Sequence, residues 1–121
     1  MVIKKKILLI DDDKELCEEL AGILTDEGYS IESAFNSDQG IMKLNKNVYD
    51  IVLIDFKLPC LNGVELLKKF KPNLPDTNFI FVTGKPYIEM ELKENDLINL
   101  TAGVISKPID IEKLLKLLKK L

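Results

Sequence analysis

Short unbroken apolar runs punctuate the chain at 7–10 (ILLI), 51–54 (IVLI), 79–82 (FIFV) and 102–105 (AGVI), with a weaker one around 30–35 (SIESAF). Uninterrupted runs rich in Ile and Val are the profile of strands covered on both faces. Between them the period changes. Leu16, Leu20, Ile23 and Leu24 recur at i, i+4, i+7 and i+8, which predicts a helix, and Gly28 stands just beyond as a C-terminal stop. Ile41 and Leu44 mark a shorter helix behind Ser37 as N-cap, and Val64, Leu67 and Phe70 mark a third. A fourth is expected from Tyr87 to about Leu100, where Met90 and Leu97 are spaced helically among charges. Asp110 is positioned to cap a last helix carrying the stripe Ile111, Leu114, Leu115, Leu118 and Leu121, with Leu117 outside its main face.

Strand and helix thus alternate five times. That order predicts an α/β fold, a doubly wound five-stranded parallel sheet with right-handed crossovers and five helices distributed over both faces. No linker, repeat or low-complexity tract interrupts residues 1–121, so one domain is expected. In such sheets ligands bind beyond the carboxyl ends of the strands, near the point where strand order reverses.

Composition narrows the chemistry. The 121 residues are 46% hydrophobic and 31% charged, ordinary for a globular domain, and the net charge of −3 with dispersed lysines gives no footprint for nucleic acid. The longest apolar runs fall far short of a membrane span, and the basic-then-apolar start MVIKKKILLI lacks the length and cleavage site of a signal peptide. Cys17 and Cys60 have no metal-ligand spacing; reduced thiols in a cytoplasmic setting are expected, Cys17 as a half-buried core residue and Cys60 in a loop. The chain contains no His, which excludes a Ser-His-Asp triad, a His–metal site and a phosphohistidine carrier role. It also has neither a GxxxxGK[ST] nor a GxGxxG phosphate loop.

Just past the predicted strands stand Asp11-Asp12-Asp13, Asp55, Thr83 and Lys107. Singly, each is an ordinary polar residue where a chain surfaces. Together they deliver carboxylates, a hydroxyl and an ammonium to one sheet edge. Two carboxylates about 4 Å apart repel by roughly 4 kcal/mol at an effective dielectric near 20, so clustering Asp11, Asp12 and Asp55 calls for a cation. Oxygen-only ligands suit Mg²⁺, which readily adds a phosphate oxygen. A carboxylate beside Mg²⁺ and a lysine is placed to attack phosphorus.

Across nearly its whole length the chain resembles the receiver domain of two-component response regulators, a CheY-like family. ILLIDDD resembles the family's acidic pair (Asp11, Asp12), and IVLIDFKLPCLNG its phospho-acceptor strand and turn around Asp55. FIFVTG places Thr83 at the switch hydroxyl, and VISKPI places Lys107 before Pro108. The resemblance implies the flavodoxin-like strand order 2-1-3-4-5. It implies that Asp55 accepts a phosphoryl group from a phosphohistidine on a sensor histidine kinase or phosphotransfer protein. It further implies Mg²⁺ held by Asp12, Asp55 and the Lys57 backbone carbonyl, with Asp11 acting largely through water. Lys107 would pair with Asp55 and then with the phosphoryl group, toward which Thr83 would move, and the Lys107–Pro108 bond would be cis. Such a domain is not an enzyme beyond its own phosphorylation and dephosphorylation. It signals to a downstream protein or output domain and contacts neither nucleic acid nor membrane. It would be either a stand-alone receiver or a piece of a longer regulator or hybrid kinase.

Two residues depart from the family pattern. Val104 occupies the position three before the lysine where the family usually carries an aromatic switch, so coupling from Thr83 to the outer face is expected to be altered. Lys57 brings an ammonium near the site and is expected to change the lifetime of phospho-Asp55; an unchanged dephosphorylation rate in Lys57→Asn would remove that idea. Two other functions compete. A pseudo-receiver would use the fold as a phosphorylation-independent binding module, and metal titration separates it. The D-x-D of Asp11 and Asp13 also resembles haloacid-dehalogenase-like phosphatases, but Glu15 stands where that family wants Thr or Val, and the late acidic pair is missing.

Overall fold

A computed structural model of the protein describes residues 4–58, 62–84 and 98–121. The chain alternates β1 (Lys6–Ile10), α1 (Lys14–Asp26), β2 (Ser30–Ala34), α2 (Ser37–Lys46), β3 (Ile51–Asp55), α3 (Gly63–Phe70), β4 (Asn78–Thr83), β5 (Gly103–Ser106) and α4 (Ile111–Lys119). All five strands pair in parallel in the order β2-β1-β3-β4-β5, as expected. Four α-helices occur among the described residues, where five were expected. The helix anticipated from Tyr87 falls almost wholly outside them, and its last residues, Ile98–Leu100, form a 3-10 turn.

Strand pleating explains why the apolar runs are unbroken. Successive side chains point to opposite faces, so a strand with helices above and below needs an apolar residue at every position. Ile7, Leu9, Ile51, Leu53, Ile80 and Val82 meet Cys17, Leu20 and Leu24 of α1 and Leu114 and Leu118 of α4. Leu8, Ile10, Val52, Ile54, Phe79 and Phe81 face the other way, onto Leu44 of α2 and Leu66, Leu67 and Phe70 of α3. Cys17 is 2% exposed, fully buried rather than half-buried, because the face of α1 that carries it lies flat on the sheet. Leu117, expected outside the main face of the last helix, packs over Gly103. A Cβ there would come within 2.7 Å of the Leu117 side chain, so the bare glycine backbone is what admits it.

Each α-helix among the described residues begins on an Asp or Asn whose side chain accepts an amide hydrogen bond three residues on: Asp13, Asn36, Asn62 and Asp110. At α2 the cap is Asn36 and not Ser37. Asn36 is extended and accepts from the Gln39 N–H at 2.8 Å, while the Gln39 side chain accepts from the Phe35 N–H at 2.8 Å. This reciprocal pair satisfies two amide donors and leaves Ser37 as the buried first helical residue. Gly28 ends α1 as predicted, with φ +98. Its N–H bonds the Thr25 carbonyl and that of Tyr29 the Leu24 carbonyl, the paired pattern of a Schellman stop.

Candidate functional site

The register of the sheet sets the site's level. Ile10 lies beside Ala34 and Ile54, Asp55 beside Val82, and Thr83 beside Ser106. Asp11, Asp55, Thr83 and Lys107 therefore leave neighbouring strands at one edge. Backbone bonds carry the ladder slightly past the strand ends: Asp11 N–H to Ala34 O (3.0 Å), Phe56 N–H to Val82 O (3.0 Å) and Lys107 N–H to Thr83 O (2.7 Å). The functional side chains thus stand on anchored backbone. The Lys107–Pro108 bond is cis, as the family resemblance implied.

Asp11, Asp12 and Asp55 each present a carboxylate oxygen, all within 4.8 Å of one another. Asp11 and Asp55 are buried, at 6% and 8% exposure, whereas Asp12 faces solvent. Asp13 is not part of the cluster: its carboxylate caps α1, accepting from the Leu16 N–H at 3.1 Å. Its backbone N–H donates instead to Asp11 Oδ1 at 2.9 Å. Lys107 Nζ lies 2.9 Å from Asp11 Oδ2 and 3.6 Å from Asp55 Oδ2. The lysine expected to pair with Asp55 thus pairs more closely with Asp11. The Lys57 N–H donates to Asp55 Oδ1 at 3.2 Å.

These contacts set the charge states. Burial is the main influence raising the Asp55 pKa, reinforced by Asp11 and opposed by the Lys57 amide and the Lys107 ammonium. For Lys107, burial pulls the pKa down, but the Asp11 hydrogen bond together with the charges of Asp11 and Asp55 outweighs it, and the pKa is raised. The ammonium stays charged. Beneath the carboxylates, the Cys17 thiol reaches the Asp11 carbonyl at 3.6 Å, and burial, then Asp11, pushes its pKa up to about 11. This is an inert packing thiol and not a nucleophile.

Thr83 is 3% exposed at the end of β4, next to this cluster in the sheet. Val104, in register with Phe81, is half-buried against the α2/α3 core. Phe81 packs edge-on against Phe56, ring centroids 5.9 Å apart, immediately behind Asp55. Pro59 and Cys60, expected in the turn after the acceptor strand, lie outside the described residues. Gly63, the last residue of the IVLIDFKLPCLNG motif, is the first residue of α3. A Cβ there would sit 2.8 Å from the Phe81 ring and 2.9 Å from both the Asp55 carbonyl and Ile54 Cγ2. Its N–H meets the Phe56 carbonyl at 3.2 Å. The glycine lets the start of α3 press against the backbone of Asp55. No sequence pattern signals this contact or the Cys17 bond, although Cys17 shares the apolar face of α1 with Leu20 and Leu24.

Three converging carboxylates with one balancing ammonium fit a hard, oxygen-seeking divalent cation. A model of the response regulator receiver domain family matches residues 7–119. The transcriptional regulatory protein DltR of Streptococcus agalactiae is 33% identical over 110 residues, covering 91% of this chain and 48% of that protein. The crystal structure of a CheY-like receiver domain protein from Methanospirillum hungatei superposes with a TM-score of 0.88 at 31% identity, covering 98% of this chain and 93% of that one. TrrA from Thermotoga maritima, solved in complex with Mg²⁺-BeF, gives 0.85 at 26% identity, covering 96% and 97%. The chain is a member of the response regulator receiver domain family of two-component systems. It spans about half the length of the curated relatives it matches. Among the described residues no helix is long and apolar enough to cross a membrane.

Proposed function

We propose that residues 1–121 act as a phosphorylatable receiver in which Asp55 accepts a phosphoryl group from a phosphohistidine of a sensor histidine kinase or phosphotransfer protein. An oxygen of Asp55 attacks phosphorus as the phosphorus–nitrogen bond breaks, and the bonding pair returns to the donor imidazole. Asp12, Asp55 and the Lys57 backbone carbonyl would hold Mg²⁺, with Asp11 acting largely through water; the ion would supply charge neutralisation on the transferring group. Lys107 offers a second positive charge to the phosphoryl oxygens. Thr83 donates its hydroxyl to the acyl phosphate and, in moving, carries the signal to a downstream protein or output domain. Beyond its own phosphorylation and dephosphorylation the chain performs no chemistry, and it works in the cytoplasm. The observation that supports this reading best is the buried Asp55 carboxylate, with Asp11 and Asp12 oxygens within 4.8 Å and the Lys107 ammonium at 3.6 Å.

Intact mass after incubation with acetyl phosphate tests it, using wild type with and without Mg²⁺ beside Asp55→Asn. A single added phosphoryl group that requires both Mg²⁺ and Asp55 is expected. A folded wild type that binds no Mg²⁺ and gains no mass would instead make the chain a phosphorylation-independent binding module.

A further inference from the structure

Phe81 is 1% exposed and belongs to the core on the α2/α3 side of the sheet. Thr83 follows it by two residues in β4, so the pleat sends both side chains to that same face. The ring is closely boxed in. A Cβ on Gly63 would lie 2.8 Å from its Cε1 atom, and the Phe56 ring meets it edge-on with 5.9 Å between centroids. Backbone bonds tie the same residues together. The Gly63 N–H donates to the Phe56 carbonyl at 3.2 Å, and the Phe56 N–H donates at 3.0 Å to the carbonyl of Val82, which stands between Phe81 and Thr83. Two rings and a bare glycine backbone therefore join the end of β4, the residue after Asp55 and the first residue of α3. Val104, the neighbour of Phe81 in register on β5, is short and half-buried and brings no ring to this contact. An interior packed this closely has low compressibility and passes a displacement on instead of absorbing it. A movement of Thr83 toward a phosphorylated Asp55 takes the end of β4 with it, and the Phe81 ring stands between that strand end and α3.

We infer that Phe81 is a positioning residue that couples the state of Asp55 to the head of α3, so that phosphorylation displaces that helix. This rests on the receiver reading above and adds a route by which Thr83 is read. α3 is suited to carry the displacement outward. It is buried along Leu66, Leu67 and Phe70 and exposes Glu65, Lys68 and Lys69, so a shift at Gly63 is presented on a charged outer face.

NMR of the protein with acetyl phosphate and Mg²⁺, with phosphoryl occupancy followed by intact mass on the same samples, tests the inference. Wild type is compared with Phe81→Leu and with Phe79→Leu, which opens a similar gap in the same core but one pleat repeat further from the site. In the wild type the amides of Lys68, Lys69 and Phe70, at the end of α3 remote from Gly63, should shift with phosphoryl occupancy, and so should the Phe81 ring signals. At equal occupancy the α3 shifts should be lost in Phe81→Leu and kept in Phe79→Leu. The wild-type arm stands even where a variant folds poorly. Unmoved α3 amides or an unmoved Phe81 ring in phosphorylated wild type overturn the route. So do α3 shifts kept in Phe81→Leu, α3 shifts lost equally in Phe79→Leu, or a folded Phe81→Leu that takes up no phosphoryl group; each of these leaves the receiver reading intact. A wild type that gains no phosphoryl group overturns the receiver reading, and the route with it.

Discussion

Asp55 is the residue on which burial and function conflict. Burial, then Asp11, raises its pKa above the usual 3.8. Between that value and its folded pKa, the folded chain binds more protons than the unfolded one, so the Asp55 contribution to stability falls as pH rises through the window. In chelated buffer at pH 7, Asp55→Asn is accordingly expected to melt above the wild type, with the gap closing as pH drops through the carboxylate range. Thermal melts across that range check this, and an Asn variant no more stable than wild type at neutral pH would contradict it. Gly63 is the complementary case, a residue needed for what it lacks. With Asp55 O and Ile54 Cγ2 both 2.9 Å from the place of a Cβ, Gly63→Ala must shift the start of α3. A loss of about 1–3 kcal/mol in chemical denaturation is expected, together with weaker Mg²⁺ binding, because the displaced backbone is that of Asp55. Asp55 stood out in the sequence, whereas the close approach at Gly63 did not, since its neighbours are an adjacent strand end and a ring from β4.

At the scale of elements, the four α-helices among the described residues share one device, an Asp or Asn cap whose side chain accepts an N3 amide. Asp110→Ala should lower stability by about 1 kcal/mol while leaving metal-dependent phosphorylation of Asp55 intact. Urea melts paired with the intact-mass assay check both halves. The caps also show how far local reading reaches. Asp110 was identifiable because a clear leucine stripe follows it. Asn36 was not, because Ser37 is an equally good capping residue, and the choice was made by Gln39 reaching back to the Phe35 amide. Strand ends differ from the apolar runs by a residue throughout the sheet: β1, β3 and β4 run one residue past them at one or both ends, β2 stops at Ala34, and β5 is displaced by one to Gly103–Ser106.

For the whole molecule, a cation that binds the folded cluster and not the unfolded chain stabilises the fold by mass action. Millimolar Mg²⁺ should raise the melting temperature of the wild type, chelation should reverse it, and Asp55→Asn should respond less; a wild type indifferent to both treatments would argue against a metal site. By itself the sequence determined the β-α alternation, the two-sided burial of the strands, and the delivery of Asp11, Asp12, Asp55, Thr83 and Lys107 to one edge of the sheet. These follow from periodicity and chain order, which are local properties, and from the pleat, which sends every alternate residue to the opposite layer. Only the tertiary structure decided that Lys107 takes Asp11 ahead of Asp55, that Asp13 leaves the acidic cluster to cap α1, that Cys17 supports the Asp11 carbonyl, and that Leu117 and Gly103 interlock. For Lys107 the chain order brings both carboxylates near, and the choice is settled by less than an ångström, 2.9 Å against 3.6 Å, between side chains from separate elements.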